Sequence, residues 1–435
     1  MLPLPSFAFA TFVGWLLLFP MGGLPVAGID ISSPLLNFLF PHAVSLILIG
    51  YFCSSRRFAR LSLIATLVTI GLTCLYPLVP TAAPILLPLL GICSAFLSIR
   101  ACILLRQSAR PLLQTGVGLV LGNLIVLVGL LTPVPTQIKF ILLALLLLLS
   151  LLPLEEKILS DKKNQGIFRY LFFVFIYQLV SGIMYGGIMP AFSKIGIGQG
   201  SELVFYIAAV LCGIVLFRIN REYLLAVGVL LAMTSFACFL GHSPWSITLS
   251  MYAMQAAAGC LDIFILGYLF SFDNPLAAFG IGNGTVCLSI FCGYQLAVWI
   301  GAPSSSLVMA GCLILTCSIF ALYFFSQKNS SPIANKEAEP PAALPPDNDT
   351  PADTIPAQSI VLAKMILSSR ELEVFCCVLA GKTYKVAATE LQLSESTVKT
   401  YMKRIFNKYN VTCKQELINK IQQAYSAHVS YKNSW

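Results

Sequence analysis

LSSRELEVFCCVLAGKTYKVAATELQLSESTVKTYMKRIFNKY, residues 367–409, is the stretch that decides the fold of the C-terminal part of the chain. Its apolar residues recur every three or four positions, and capping residues separate the runs, which predicts successive amphipathic helices. Ser368 or Ser369 opens the first helix, Gly381 ends it, and Ser394 caps the third. The second, third and fourth helices are predicted at Tyr384–Leu391, Glu395–Tyr409 and Lys414–Tyr425.

Each predicted helix has one apolar face for a small shared core. The side chains expected there are Leu372, Phe375, Cys376 and Leu379, then Val386, Ala387 and Leu391, then Val398, Met402, Ile405 and Tyr409, and last Leu417, Ile418 and Ile421. The opposite face of the third helix is polar and basic, with Ser396, Lys399, Thr400, Lys403 and Asn407. Two short helices, the second basic and polar, describe a helix-turn-helix whose second helix enters the major groove of DNA.

The motifs of this stretch resemble the LuxR/GerE family of DNA-binding domains. The residues that carry the resemblance are Leu367, Arg370, Glu371, Glu373, Val374, Gly381, Leu391, Ser394, Thr397, Val398, Lys399, Thr400, Ile405, Phe406 and Lys408. The stretch departs from the family at Val386-Ala387-Ala388, where Glu-Ile-Ala is usual, and at Tyr401, where His is usual. The first departure concerns a polar contact of the scaffold helix rather than the fold.

The resemblance implies which side chains meet double-stranded DNA. Lys399, Thr400 and Lys403 match the positions that face the groove. Ser396 and Thr397 lie at the helix N-terminus, where hydroxyls and backbone amides suit a phosphate. The further expected phosphate partners are Lys382, Lys385 and Lys408. For every lysine the alternative is a solvated surface charge. The family also implies a homodimer through the last helix, on paired half-sites.

Composition separates this basic tail from the rest of the chain. Residues 359–435 hold 11 Lys and Arg against 5 Asp and Glu, whereas residues 1–325 are strongly apolar. The segment 326–358 has seven prolines, five acidic residues and few large apolar ones, so it cannot bury enough surface to fold. We therefore expect three parts: a transmembrane sensor domain (1–325), a Pro-rich acidic linker (326–358) and the DNA-binding domain (359–435).

Apolar stretches of spanning length fill residues 1–325. About 20 such residues cross a bilayer as a helix. Twelve spans are expected, at approximately 6–24, 35–53, 61–79, 84–105, 112–131, 138–154, 171–190, 203–217, 223–240, 246–272, 276–300 and 307–325. The fold class is thus all-α: a polytopic membrane helix bundle of two six-helix halves, plus a small cytoplasmic four-helix DNA-binding domain.

The charges of the connections predict the orientation. With a cytoplasmic N-terminus, 12 Lys and Arg flank the cytoplasmic ends of the spans and 2, Lys139 and Lys194, lie on the other side. Positive charge favours the cytoplasmic side. The expected location is the inner (cytoplasmic) membrane, with both termini in the cytoplasm. Trp245 and Trp299 are expected at the outer interface, as aromatic belt residues.

The arrangement of the spans resembles the major facilitator superfamily. The long polar connection 155–170 divides the spans six and six, and each half has an Arg-x-x-Arg turn, at Arg57–Arg60 and Arg218–Arg221. The alternative is positive-inside charge alone. The glycine-and-basic loop of that family is only echoed, at Gly50 with the neighbouring arginines, and the acidic residue usual there is absent.

Two ionisable side chains lie clearly inside spans, where such groups are costly and usually functional. Arg100 is in span 4 and Asp262 is at the equivalent place in span 10. In a facilitator-like fold they could face each other across a central cavity, although Arg100 could equally snorkel to the cytoplasmic surface. Polar residues that could add ligand contacts, or form interhelical hydrogen bonds instead, are Tyr177, Gln178, Tyr185 and Gln255.

The sequence therefore predicts a membrane-embedded transcriptional regulator in bacteria. An unknown small molecule would bind the membrane part, and the tail would bind DNA. The alternatives are a working transporter with a regulatory tail, or a bare anchor without a ligand. We expect no enzyme and no cofactor, because no P-loop or HExxH motif occurs, and no metal site, because the cysteines form no CxxC pair.

Overall fold

The computed structural model divides into two compact units, between Ile333 and Ala334. The residues it describes are 4–21, 24, 32–155, 164, 167–195, 200–300, 311–317, 367, 369–380, 382–391, 393–409, 411 and 416–417. Within these residues the regular elements are helices, without strands. The all-α expectation is therefore confirmed.

Residues 4–300 of the N-terminal unit, where the structure describes them, include eleven α-helices. They are α1 (Leu4–Leu18), α2 (Ser32–Phe52), α3 (Ser55–Leu75), α4 (Ala83–Arg106), α5 (Pro111–Leu131), α6 (Thr136–Leu146), α7 (Phe168–Ile195), α8 (Glu202–Ile219), α9 (Arg221–Phe239), α10 (Pro244–Leu269) and α11 (Pro275–Ile300). By length and composition, eight described helices can cross a membrane, and three apolar helices are shorter. The chain is thus a multi-pass membrane protein.

The predicted spans coincide with these helices, with differences at their ends. α3 begins at Ser55, directly after the extended residue Ser54, so Arg56, Arg57 and Arg60 lie in its first turns rather than in a connection. α6 is a short helix that tightens into the 3-10 helix Leu147–Leu151. Of the twelfth expected span, 307–325, the structure describes residues 311–317, which are helical.

The helices pack as two groups that meet along two seams. α1 packs on α5, and α2 and α3 pack on α4; α10 packs on α8 and α9, and α11 packs on α7. α2 meets α11 and α5 meets α8 between the groups. The first seam is close because a Cβ on Gly280 would lie 2.6 Å from the Cα of Gly50. Small residues at such places let helix backbones approach in lipid.

Large apolar side chains cover the outside of this unit. Phe52, Leu131, Phe172 and Ile219 are each at least two-thirds exposed. Such a surface suits hydrocarbon, in which helices satisfy their own backbone hydrogen bonds. Trp245 and Trp299 are also highly exposed. The hydrocarbon of the membrane therefore surrounds these apolar side chains in place of water.

Candidate nucleic-acid interface and membrane site

Three helices form the described part of the C-terminal unit: α12 (Ser369–Leu379), α13 (Tyr384–Glu390) and α14 (Glu395–Tyr409). The hydroxyl of Thr383 caps α13 by accepting from the backbone N–H of Val386, at 3.4 Å. Ser394 caps α14, because its hydroxyl accepts from Thr397 N at 3.1 Å. These caps fix the turn between the two helices. The predicted bounds of α14 are confirmed, and α13 ends one residue earlier than predicted.

The core of this unit confirms most of the predicted faces and corrects two positions. The fully buried side chains include Val374, Phe375, Ala387, Val398, Met402 and Ile405. Val386, expected inside, is half exposed, because the two turns of α13 bury Ala387 and Ala388 instead. Cys376 is only partly buried, whereas its neighbour Cys377 is buried. The fourth predicted helix, 414–425, lies outside the described residues except 416–417.

The solvent face of α14 carries the groove residues that the sequence predicts. Ser396, Lys399, Thr400 and Lys403 are all exposed. The hydroxyl of Ser394 lies 2.7 Å from those of both Ser396 and Thr397. Hydroxyl groups thus cluster at the N-terminus of α14, an arrangement suited to a phosphate oxygen. The side chain of Asn407 lies outside the described part of the chain.

The predicted phosphate-binding lysines differ in their partners. Lys399 pairs with Glu395 at 2.7 Å, and its hydrogen bond holds the pKa of that exposed carboxyl below its usual value. Lys382 pairs with Glu390. Among the described residues Lys385 and Lys403 form no ion pair. Surface pairs of this kind are weak and salt-sensitive, so a DNA phosphate can displace them.

Lys408 has a partner inside the unit. Its Nζ donates to Oε2 of Glu371 at 2.5 Å, and the Glu371 side chain is 6% exposed. The pair joins the end of α14 to the start of α12. Glu371 was predicted only as part of the motif, yet Glu371, Val374 and Phe375 share the buried face of α12. An acidic residue three and four positions before buried apolar residues of the same helix is the sequence signal for such a buried ion pair.

Arg100 is fully enclosed among the first six helices. Its Nε donates to Ser150 O at 2.7 Å, one Nη to Leu152 O at 2.6 Å, and the other to Ser62 Oγ at 3.0 Å. The two carbonyls belong to the 3-10 end of α6, where helical carbonyls lack intrahelical partners. Arg100 therefore caps a helix end inside the membrane unit, and at 1% exposure it does not snorkel.

Asp262 has a different partner, within the second group of helices. The hydroxyl of Tyr206, on α8, donates to Asp262 Oδ2 at 2.6 Å. The expected pairing of Arg100 with Asp262 is thus wrong, since each binds within its own group of helices. The arginine's donors are consumed by backbone carbonyls about fifty residues away, which no sequence spacing reveals.

Of the other expected ligand residues, some lie near Asp262. Tyr177 and Tyr185, both on α7, interact electrostatically with its carboxylate. The Tyr177 hydroxyl also donates to Gly228 O at 3.2 Å. Gln178 and Gln255 are buried. Tyr206, which donates to Asp262, was not predicted from the sequence. No group of three His, Cys, Asp or Glu in the described residues could hold a metal.

Comparison of the tail with known families is decisive. Residues 365–421 match GerE, the bacterial regulatory proteins of the LuxR family. These residues form a LuxR-type DNA-binding domain. The match includes α12, α13 and α14 together with the segment that follows them. A DNA-binding domain of this type indicates a role in the regulation of transcription.

The membrane unit resembles solved major facilitator structures. One is the human organic anion transporter MFSD10 (TETRAN), with a TM-score of 0.52 over 74% of this chain and 98% of that chain. A bacterial homologue of the iron transporter ferroportin in the outward-facing state has a TM-score of 0.53 over 75% of this chain and 98% of its own. The Major Facilitator Superfamily transporter FucP in the outward conformation has a TM-score of 0.52 over 75% of this chain and 98% of its own. Each is 12% identical in sequence, so the likeness concerns the fold. No curated protein matches the chain in sequence.

Proposed function

We propose that this chain is a one-component transcriptional regulator in which a membrane-embedded sensor controls DNA binding by the attached LuxR-type domain. The observation that carries the proposal is the fusion itself. A facilitator-like bundle precedes the DNA-binding domain in the same polypeptide. The bundle occupies the place where a LuxR-type regulator needs its input domain. The signal is a small molecule that changes how the two groups of helices pack.

The proposed location is the cytoplasmic membrane, with both termini in the cytoplasm. The distribution of 12 Lys and Arg against 2 supports this orientation. Segment 326–358 then joins the last span to the DNA-binding domain. As a coil, its ends would lie roughly 30–35 Å apart, which lets the domain reach a duplex beside the membrane.

The proposed DNA-bound form is a homodimer. One helix-turn-helix contacts few bases, and dimers on paired half-sites gain affinity from both. Lys399, Thr400 and Lys403 face the groove, while Ser396, Thr397 and Lys385 contact phosphates. The membrane unit controls activity by favouring or preventing the approach of two tails.

The test compares three forms in a strain that lacks the chromosomal gene. Transcript profiling of that strain first identifies the regulated promoters. The full chain should restore regulation, the Lys399→Ala/Lys403→Ala chain should not, and the free tail 359–435 should regulate without response to conditions. Lys194→Ala, which removes a charge outside the DNA-binding domain, is the control. A free tail that responds as the full chain does would refute control by the membrane unit.

A second candidate is a transporter whose tail links transport to transcription. The fold neighbours favour it, since their names describe transporters. Saturable uptake into vesicles that Asp262→Asn abolishes would support transport. If uptake is absent while transcription is still regulated, the membrane unit is a sensor and not a transporter.

A further inference from the structure

The carboxylate of Asp262 has an unfilled side. Tyr206 donates to Oδ2, and no donor among the described residues reaches Oδ1. A carboxylate accepts several hydrogen bonds, and an isolated buried charge is costly. Asp262 also keeps some accessible surface, although Tyr177 and Tyr206 beside it are buried. Partial access at an interior residue indicates a space that a ligand can enter.

Within the described residues no positive side chain compensates this charge. The four ion pairs there all lie in the C-terminal unit. Arg100, the other ionisable group of the interior, is held by Ser62 and two backbone carbonyls. Inside a membrane an acid pairs with a counter-charge or marks the path of one. The missing positive charge can come from a ligand.

Tyrosine side chains lie near the carboxylate of Asp262. Tyr177, Tyr185 and Tyr206 come from α7 and α8 and all interact electrostatically with Asp262. The faces of aromatic rings attract ammonium groups, and cages of such rings recognise amines and quaternary ammonium ions. An acid among tyrosines repels anions and is too sparse in oxygens to replace the hydration of a divalent ion.

We propose that Asp262 and its three tyrosines bind a small organic cation with an amine or quaternary ammonium group. This assignment rests on the proposed function in one respect: the cation is the signal. The geometry also places this site next to a helix seam. Tyr206 of α8 donates to Asp262 of α10, and α8 packs against α5 of the other group of helices. A cation on Asp262 therefore changes a hydrogen bond made by a helix at the seam between the two groups.

The test measures binding of radiolabelled benzyltrimethylammonium to the full chain, purified in neutral detergent, by equilibrium dialysis. The chain should bind it saturably, and benzenesulfonate should not compete. Asp262→Asn keeps the shape and removes the charge, so affinity should fall at least tenfold. Tyr206→Phe keeps the ring and removes one hydrogen bond to the acid, so a fall of about fivefold is expected.

Tyr252→Phe is the matched control. Tyr252 lies on α10, the helix that carries Asp262, and its hydroxyl forms a hydrogen bond of 2.6 Å with the hydroxyl of Ser201 rather than with Asp262. The Tyr252→Phe chain should bind the probe with an affinity within twofold of that of the parent chain. Unfolding temperature and elution volume establish that each variant is folded. If Asp262→Asn does not fold, the comparison of Tyr206→Phe with Tyr252→Phe decides.

Three results would overturn the proposal: no saturable binding to the parent chain, equal binding by Asp262→Asn, or competition by sodium at the probe's own concentration. The last would indicate an inorganic cation instead. These outcomes are separate from the fate of the proposed function, because dialysis requires no DNA. If the chain binds the probe but regulates no promoter, the proposed regulatory function is refuted and the cation site is not.

Discussion

Replacing Lys408 with Met removes the ammonium group that neutralises Glu371 and retains most of the side-chain volume. The carboxylate of Glu371 is 6% exposed, whereas the lysine side chain is 39% exposed. Loss of the lysine thus removes the positive charge that lies against this nearly buried carboxylate. Since the pair ties the end of α14 to the start of α12, the DNA-binding domain should lose stability as a whole.

The magnitude lies between those of surface and buried pairs. Breaking a fully buried pair costs about 3–5 kcal/mol, and a surface pair contributes about 0–1 kcal/mol. Water reaches the lysine side, so we expect a loss of about 2 kcal/mol. For a domain of this size each kcal/mol lowers the unfolding temperature by about 4–8 °C, which gives roughly 8–16 °C.

Thermal unfolding of the tail 359–435, followed by circular dichroism, measures this effect. Glu371→Gln should recover part of the loss in the Lys408→Met background, because it removes the negative charge that the lysine neutralises in the parent. Lys403→Ala is the matched lysine control and should unfold with the parent. If Lys408→Met unfolds within 2 °C of the parent yet loses DNA affinity, Lys408 is a phosphate contact and the internal pair is unimportant.

Further predictions concern both units. Arg100→Ala should destabilise the membrane unit by roughly 3 kcal/mol, because two buried carbonyls lose their donors; Arg100→Lys should recover only part, and a thermal stability equal to the parent would contradict the capping role. A reporter active only in the cytoplasm, fused after Trp435, should be active, and an active periplasmic reporter there would overturn the predicted orientation. Binding of the tail to a promoter fragment should weaken steeply with salt, and Lys385→Ala should reduce that slope by about one; an unchanged slope would place this lysine away from the DNA backbone.

The C-terminal helices were predictable because local signals specify them. Ser394 as cap, the apolar positions of α14 and its polar face are all short-range features of the sequence. Val386 was misplaced because a seven-residue helix allows more than one apolar face, and contact with α14 selects Ala387 and Ala388. Glu371 was predictable in principle from its position on the buried face of α12.

The membrane unit was only partly predictable from the sequence. Hydropathy and charge located the spans, since lipid imposes length and composition on every helix. The partners of Arg100 were not predictable, because they are backbone carbonyls exposed by the 3-10 end of α6. Tyr206 carries no charge and lies in an ordinary apolar helix, so its link to Asp262 depends on tertiary packing.

The measurement that tests the central claim most directly is chromatin immunoprecipitation of the full chain from membranes of cross-linked cells, with Lys399→Ala/Lys403→Ala as comparison. We predict that defined genomic segments are enriched with the parent chain and lie at promoters whose transcripts change in the deletion strain. Enrichment should disappear in the double variant at an equal level of membrane protein. Absence of enriched segments with the parent chain, or equal enrichment with the double variant, would contradict the account of a membrane-embedded DNA-binding regulator.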